Sequence, residues 1–427
     1  MELARQTKFV QRTSKLKPVA FLTSLMFAHQ QGKDASLMSI SGDLYSQEGI
    51  EIKKQSIDER FNSKTVDFFK ATLTKLLHSE LNTSDKDDAL SYFNRVRIKD
   101  STRFALPSAF SETYTGHGGA THNSESMISI QYEYDFLTKE TMDLRLTTGT
   151  RNDQLDAKEN TDNIIENDLF LRDLGYATLP FMSQIIDNNA CFLNRLNPQI
   201  SAYHEQTGTK VDFDKCQKKI KKHNLPYIEY NVQIGKKAQI PCRLIIYPVD
   251  KSTYERRLRK TSKQAKSCGH QVSKEFKTRA KMTIYVTNVK QDILTSDKIK
   301  QIYGLRWQIE LTFKVWKSQG KINAVKEMKI ERFECQLMAK LIWLLFHMKI
   351  YHYLTGELHS QLPDKTISLW KYYRHAFSIN YLVRKIISNK KELGILLLDL
   401  INLSKHVLLL ETKKGKHSHY ETFMLLT

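Results

Sequence analysis

The stretch Ile302–Lys317, IYGLRWQIELTFKVWK, decides how the chain is read. At 100° per residue, Tyr303, Arg306, Glu310 and Lys317 fall within about 60° of one another on a helix surface. Ile302, Leu305, Ile309, Phe313 and Trp316 occupy the far side. Thr295 or Ser296 can cap such a helix, Asp297 lies in its first turn and Gly320 is a stop. One face is therefore fit for burial, and the other carries a Tyr, an Arg, a carboxylate and a Lys in a line. Such a polar face is ordinarily solvated, with an Arg306–Glu310 ion pair on it. The Tyr-x2-Arg-x3-Glu-x6-Lys spacing and the basic chain around it point instead to something anionic on this face.

The 427 residues around this stretch suffice for one large core or two to three smaller ones. An apolar content of 41% and a charged content of 26% are those of an ordinary soluble globular protein. The balance of 66 Lys and Arg against 46 Asp and Glu, a net charge of +20, favours a polyanionic partner, and nucleic acid is the commonest. A membrane surface is the rival, but no apolar run reaches about 18 residues without a charge. The stretch 340–355 contains His347 and Lys349, and 393–410 contains Asp399, Lys405 and His406, so both read as core helices. The basic start before Val19–Ala28 is too long for a signal peptide and lacks a cleavage site. Five widely spaced cysteines with no C-x-x-C suggest neither a zinc site nor a disulfide framework, which fits a reducing cytoplasm.

In chain order, residues 1–85 read as helical, with a helix over Ser36–Gln47, a turn at Glu48-Gly49 and a second helix over Lys53–Phe61. A groove-entering helix-turn-helix has this pattern, and so does any helical hairpin. The polar segment His78–Ala89 marks a boundary. Val96–Asp100 alternates like a strand, and Met127–Tyr134 with Met142–Thr148 reads as an antiparallel meander. Gly116–Gly119 is a turn, and Arg151–Asp168 an acidic, Asn-rich loop. Leu169–Arg172 is a short strand, Leu179–Asn188 a helix and Ala190–Leu196 another strand. Residues 197–290 form a β-rich stretch with a hairpin over Pro226–Gln233 and Ile240–Val249 and a strand over Met282–Val289. Between Lys251 and Lys281 lie eleven Lys and Arg against two Glu, a run fit to track a phosphate backbone. After Gly320 the chain is helical and apolar over Glu331–Leu354, Leu369–Ile387 and Leu393–Leu410, and Lys413–His419 is a disordered tail.

Asp100 and Asp173 each sit at the C-terminal end of a strand, where Asp is ordinarily a turn or cap residue. Together with Glu310 on the later helix they form a set of three carboxylates. Hard divalent cations such as Mg²⁺ need oxygen ligands and keep several waters, so two or three carboxylates suffice. Two such ions about 4 Å apart activate an attacking hydroxyl and stabilise the leaving oxygen of a phosphodiester. Basic and aromatic neighbours on the same helix would hold the scissile strand. No G-x-G-x-x-G, G-x-x-x-x-G-K or H-E-x-x-H competes.

Asp100-Ser101-Thr102 with Leu106-Pro107, Asp173-Leu174-Gly175-Tyr176 and the helix around Glu310 resemble the three signature regions of bacterial DDE transposases. The Tyr303, Arg306, Glu310, Lys317 spacing is similar to that of the insertion-sequence-four family, named for its YREK signature. The separations fit as well, with 73 residues between the two Asp and 137 from Asp173 to Glu310. The resemblance covers about residues 1 to 350. It implies an α/β protein: an RNase H-like catalytic core (90–196 and 291–350) interrupted by a β-rich insertion (197–290), behind an all-helical DNA-binding domain (1–85) and ahead of a C-terminal helical region (351–427). It further implies that Asp100, Asp173 and Glu310 bind two Mg²⁺ ions, with Mn²⁺ as a substitute, and that Tyr303, Arg306 and Lys317 contact DNA phosphates near the cleaved end.

The implied activity is cut-and-paste transposition: binding of terminal inverted repeats, excision, and joining of 3′ ends to target DNA within a dimer. A cytoplasmic, nucleoid-associated location goes with it. In some members a Trp of the insertion stabilises a DNA hairpin, but Trp307, Trp316, Trp343 and Trp370 all lie outside 197–290, leaving Tyr254 or Tyr285 for that place. Two other readings share the DNA partner: a nuclease without strand transfer, and a non-catalytic DNA-binding protein derived from a transposase.

Overall fold

The computed structural model describes residues 1–12, 15–28, 35–77, 90–118, 125–159, 163–363, 365–388 and 393–411. The boundary at His78–Ala89, Gly119 of the glycine turn and the tail Lys413–His419 lie outside the described residues. The chain divides into two compact units, Met1–Asp85, Asp100–Arg151 and Trp307–Thr427 forming one and Lys86–Lys99 with Asn152–Arg306 the other. Among the described residues, no helix is long and apolar enough to cross a membrane.

The first unit opens with helices α1 (Glu2–Gln6), α2 (Pro18–Phe27), α3 (Leu37–Glu48), α4 (Lys54–Asp58) and α5 (Ser63–Leu77). Ser36 caps α3 by accepting the amide of Ser39 at 3.0 Å. Gly49 ends α3 at φ 63, a left-handed position that a residue without Cβ adopts at no steric cost. The expected second helix is shorter than its pattern suggests and stops at Asp58. Phe9, Phe21, Phe61, Phe68 and Phe69 are buried together, the Phe9 and Phe68 rings stacked at 4.9 Å. This aromatic layer packs on α13 (Ile330–Gln361), a helix that is apolar nearly all round. Lys329 donates to the carbonyl of Phe61 at 2.8 Å, and Gln336 to that of Ala35 at 2.9 Å. Helices α14 (Leu369–Ala376), α15 (Asn380–Ser388) and α16 (Leu393–His406) complete the helical part. The expected helix over 369–387 is broken by a 3₁₀ turn at Phe377–Ile379.

The same unit carries β2 (Met127–Asp135) and β3 (Thr141–Thr148), an antiparallel pair with the expected alternation, in the order β3-β2-β1. Strand β1 (Arg95–Ala105) passes from one unit into the other between Lys99 and Asp100. It is longer than its sequence pattern, so Asp100 stands in mid-strand rather than at its end. Ser101–Ala105 keep the extended conformation because alternate positions, Thr102 and Phe104, are buried.

In the second unit the order is β1-β4-β5-β9-β8-β7-β6. Strands β4 (Asp168–Arg172) and β5 (Cys191–Arg195) run parallel with β1, and their near-continuous apolar sequences are those of strands covered on both faces. Strands β9 (Met282–Thr287), β8 (Ile240–Pro248), β7 (Ile228–Ile234) and β6 (Ala202–His204) follow antiparallel, so the strands of the β-rich stretch extend the sheet outward from β5. A mixed sheet with parallel β1, β4 and β5 and an antiparallel β2–β3 pair is consistent with an RNase H-like core. One face of this unit buries Phe170, Phe192, Leu244 and Val286 against Phe181 and Ile185 of α7 (Leu179–Asp187) and Ile220 of α8 (Phe213–His223).

Two segments read as loop or as charge run are helical. Asp153–Glu159 forms α6 inside the acidic stretch. The basic run forms α9 (Lys251–Ser267) and α10 (Lys274–Arg279), neither with a buried residue. Asp250 caps α9 by accepting the amide of Thr253 at 2.8 Å, and Arg257 anchors it by donating to the carbonyls of Ala280 and Met282 at 3.1 and 2.7 Å.

Candidate active site

The single helix expected around Glu310 is two. Helix α11 (Ile299–Gly304) ends the second unit, Leu305 and Arg306 make a turn, and α12 (Trp307–Ser318) begins the return to the first. Thr295 and Ser296 do not cap it. Ser296 is buried, where its hydroxyl accepts from Arg243 at 2.9 Å and donates to Glu229. The apolar residues of the stretch behave as their spacing demands: Ile302, Leu305, Ile309, Phe313 and Trp316 are all buried. Gly320 follows α12 because there is no room for a side chain. A Cβ there would meet the Trp316 carbonyl at 2.8 Å and a Leu344 methyl at 2.9 Å.

The break divides the four polar residues. Tyr303, expected on the exposed face, is only 4% exposed. Its hydroxyl donates to the carbonyl of Arg172 at 3.4 Å, its ring lies 5.1 Å from that of Tyr285, and the guanidinium carbons of Arg195 and Arg306 stand 5.6 and 5.8 Å from its centroid. Burial pushes the Tyr303 phenol up to about 12; Arg306 and Arg195 pull it back and Asp173 adds to the rise. Tyr303 and Arg306 are thus set around the turn that holds Asp173, whose carbonyl accepts the amide of Tyr176 at 3.0 Å. Glu310 is exposed on α12. Lys317, two turns further on, donates to the carbonyl of Arg103 on β1 at 2.8 Å, and partial burial lowers its affinity for a proton.

Arg95↔Asp168 to Lys99↔Arg172 are the paired residues of β1 and β4, and the residues that come next in the two strands are Asp100 and Asp173. Each Asp therefore directly follows one member of the Lys99↔Arg172 pair, the last rung of the parallel ladder in the second unit. The Asp100 carboxylate accepts the amide of Ser101 at 2.8 Å. Among the described residues, no three His, Cys, Asp or Glu side chains form a group that could hold a metal ion within either unit. Asp100 and Glu310 belong to the first unit and Asp173 to the second. The donor chemistry of these three residues, all carboxylate oxygen, suits a hard divalent cation.

Several residues of this region were not legible beforehand. Lys99 and Arg172, directly before the two Asp, are both fully buried: Lys99 pairs with Asp156 at 2.6 Å, and the Arg172 guanidinium lies 4.1 Å from the Phe181 ring. Behind Leu174 a cavity of about 490 Å³ has an apolar wall including Leu196, Phe276 and Met282 and carries Arg195, Arg257 and Arg279. The charge run hinted at Arg257 and Arg279, and nothing in the sequence pointed to Arg195. Tyr285, one candidate for an insertion aromatic, is buried between Tyr247 and Tyr303; Tyr254 lies on α9, near the ammonium of Lys281 at 5.8 Å.

Residues 91–346, more than half of the chain, match the family described as the transposase DDE domain. The chain belongs to that family. Its relatives are named alike. The transposase for insertion sequence element IS231C of Bacillus thuringiensis subsp. berliner is 30% identical over 361 residues, covering 80% of this chain and 74% of the relative. That for IS231F of B. thuringiensis subsp. israelensis is 28% identical over 98% of this chain and 89% of its own length. That for IS1151 of Clostridium perfringens is 28% identical over 92% and 89%. DDE domains in general use divalent metals and act on DNA, which agrees with the carboxylate set and with the net charge of +20.

Proposed function

We propose that the protein is the transposase of an insertion sequence, cutting its element from donor DNA and joining the 3′ ends to a target, with Asp100, Asp173 and Glu310 as the metal-binding carboxylates. The observation that carries this reading is the register of β1 and β4, in which Asp100 and Asp173 follow the paired residues Lys99 and Arg172. The third carboxylate is supported by lengths within the first unit. Glu310 precedes Lys317 by seven helical residues, about 10.5 Å, and Asp100 precedes Arg103, the acceptor of Lys317, by three strand residues, about 10 Å. The two lengths match, so a helix that ran in the same sense as β1 would bring Glu310 level with Asp100.

Arg306 and Lys317 fit phosphate contacts to the strand being cut, whereas the expected contact from Tyr303 is opposed by its burial, and the YREK spacing favours the insertion-sequence-four family. Within the second unit, Arg195, at the end of β5 beside Tyr303, and the exposed basic face of α9 add positive charge suited to a phosphate backbone. In hydrolysis, a water oxygen attacks the phosphorus and the P–O3′ bond breaks, freeing a 3′ hydroxyl and leaving a 5′ phosphate. In strand transfer that hydroxyl attacks a target phosphodiester, so one such bond forms as another breaks. A pair of divalent ions, Mg²⁺ or Mn²⁺, would ease loss of the attacking proton and offset charge on the leaving oxygen. Arg306 and Lys317 hold the scissile phosphate in line, and Tyr303 supports the turn of Asp173. The segment organisation goes with this activity: a helical DNA-binding region at 1–85, a core at 90–196 and 291–350, the β-rich insertion at 197–290 and helices at 351–427, with two copies bridging both inverted repeats.

The experiment is cleavage of a labelled duplex carrying the flanking terminal repeat, with and without Mg²⁺, comparing the native protein with Glu310→Gln and Asp173→Asn. Metal-dependent release of a 3′ hydroxyl that vanishes in both variants is expected, with end binding retained. Tight binding without cutting by any of the proteins would favour the non-catalytic DNA-binding reading. Normal cutting by either variant would remove that residue from the site.

A further inference from the structure

Helix α6 lies in the stretch that reads as an acidic loop, yet within the second unit it touches the approaches to both Asp100 and Asp173. From its middle, Asp156 pairs with Lys99, the residue before Asp100, at 2.6 Å with both side chains fully buried. From its first turn, Asp153 packs against Gly175, two residues after Asp173. A Cβ at Gly175 would stand 2.9 Å from the Asp153 carboxylate and 3.3 Å from its Cβ, so a side chain there would press on Asp153 and turn its carboxylate aside. The helix also packs beside α7, which begins where the Asp173 turn ends.

A buried ion pair is a poor choice if stability were the only need, since an apolar pair of equal volume is often as stable or more so. What the pair provides is register: the Lys99 ammonium meets the Asp156 carboxylate at 2.6 Å, whereas an apolar contact tolerates sliding. We propose that Asp156, supported by Asp153, is a positioning residue, and that α6 holds Lys99, the residue before Asp100, and the turn after Asp173 to one rigid element of the second unit. This inference rests on the assignment of those two carboxylates as metal ligands.

The test uses the full-length protein bound to a terminal-repeat duplex. Mn²⁺ binding is followed by electron paramagnetic resonance, beside thermal melting, duplex affinity and cleavage against metal concentration. Asp156→Asn is expected to weaken Mn²⁺ binding about 10- to 100-fold, the range usual for partners that orient metal ligands. The metal midpoint of cleavage should shift equally while duplex affinity is unchanged. The double variant Lys99→Met/Asp156→Leu removes both charges of the pair at once and is expected to fold while retaining the Mn²⁺ defect; it carries the test if the single variant does not fold. A folded double variant that binds Mn²⁺ with native affinity overturns the proposal. Asp173→Asn is the control: if it too binds Mn²⁺ normally, the carboxylate assignment has failed, whereas a defect in Asp173→Asn alone condemns only the positioning role.

Discussion

Replacing Asp168 with Asn tests what holds β1 and β4 in register. Asp168 is fully buried at the start of β4 and opposite Arg95 in the ladder. Its carboxylate accepts from Arg95 Nε and Nη2 at 2.6 and 2.5 Å, from Arg97 Nη1 at 3.3 Å and from the Ile165 amide at 3.2 Å. Removing one partner of a buried ion pair costs about 3–5 kcal/mol, mostly for the charge left behind. The lower end applies here. Arg95 is 21% exposed and regains water, and Asn keeps one acceptor oxygen. Arg97, 4% exposed and lying over the Phe170 ring at 4.6 Å, cannot rehydrate in that way. About 3 kcal/mol corresponds to a fall in Tm of about 6–12 °C for a unit of this size. Thermal melting by circular dichroism would read it, with Arg97→Met/Asp168→Asn as the companion because it deletes the more deeply buried of the two cations. The companion should recover at least half of the loss. A single variant within about 1 °C of the native Tm, or a companion that melts lower still, would refute the assignment of the loss to a buried charge.

Three further outcomes are expected. Trp316→Ala should destabilise by about 3–5 kcal/mol, read as a lower urea midpoint, because the ring is fully buried 4.9 Å from that of Tyr132 and leaves a large cavity. His347 is fully buried and burial lowers its proton affinity to about 3, so its contribution to stability is complete above the unfolded value near 6.5 and lost as pH falls toward 3. Between pH 7 and 5 this removes about 2 kcal/mol, and a His347→Gln variant should show a shallower fall in Tm over that range. Replacing Lys260, Lys263 and Lys266 on α9 with Ala should leave melting unchanged, since all three are exposed. The slope of log affinity for duplex against log salt should fall by about 0.9 for each phosphate that these lysines neutralise in the native complex.

The elements that sequence made legible are those whose apolar and polar residues follow a simple period or whose ends carry a capping residue. The pairs β2–β3 and β7–β8 alternate and are joined by polar turns, and α3 announces itself by Ser36 and Gly49. Helices α9 and α10 were hidden because they bury nothing: without an apolar stripe, a basic run carries no helical period. The break at Leu305-Arg306 was equally invisible, for the apolar spacing of Ile302, Leu305 and Ile309 continues across it and no proline marks it. The candidate carboxylates could be picked out by residue type and spacing. Their surroundings could not. Buried Lys99, Asp156, Asp168 and Arg172 look, in sequence, like charges at strand ends and in a loop, and only pairing across distant segments explains how they leave water.

The packing of the aromatic layer of the first helices on α13 has a consequence for how the chain is made. Lys329 and its acceptor Phe61 are 268 residues apart. A ribosome adding about 5–20 residues per second needs roughly 13–50 s to cover that distance. For this interval α2 and α5 emerge with Phe21, Phe68 and Phe69 lacking the helix that covers them, and the second unit is synthesised in between. Completion of the first unit must therefore wait until α13 has been made. A product that stops short of α13 would present an aromatic surface to chaperones and proteases instead of a folded partner to DNA.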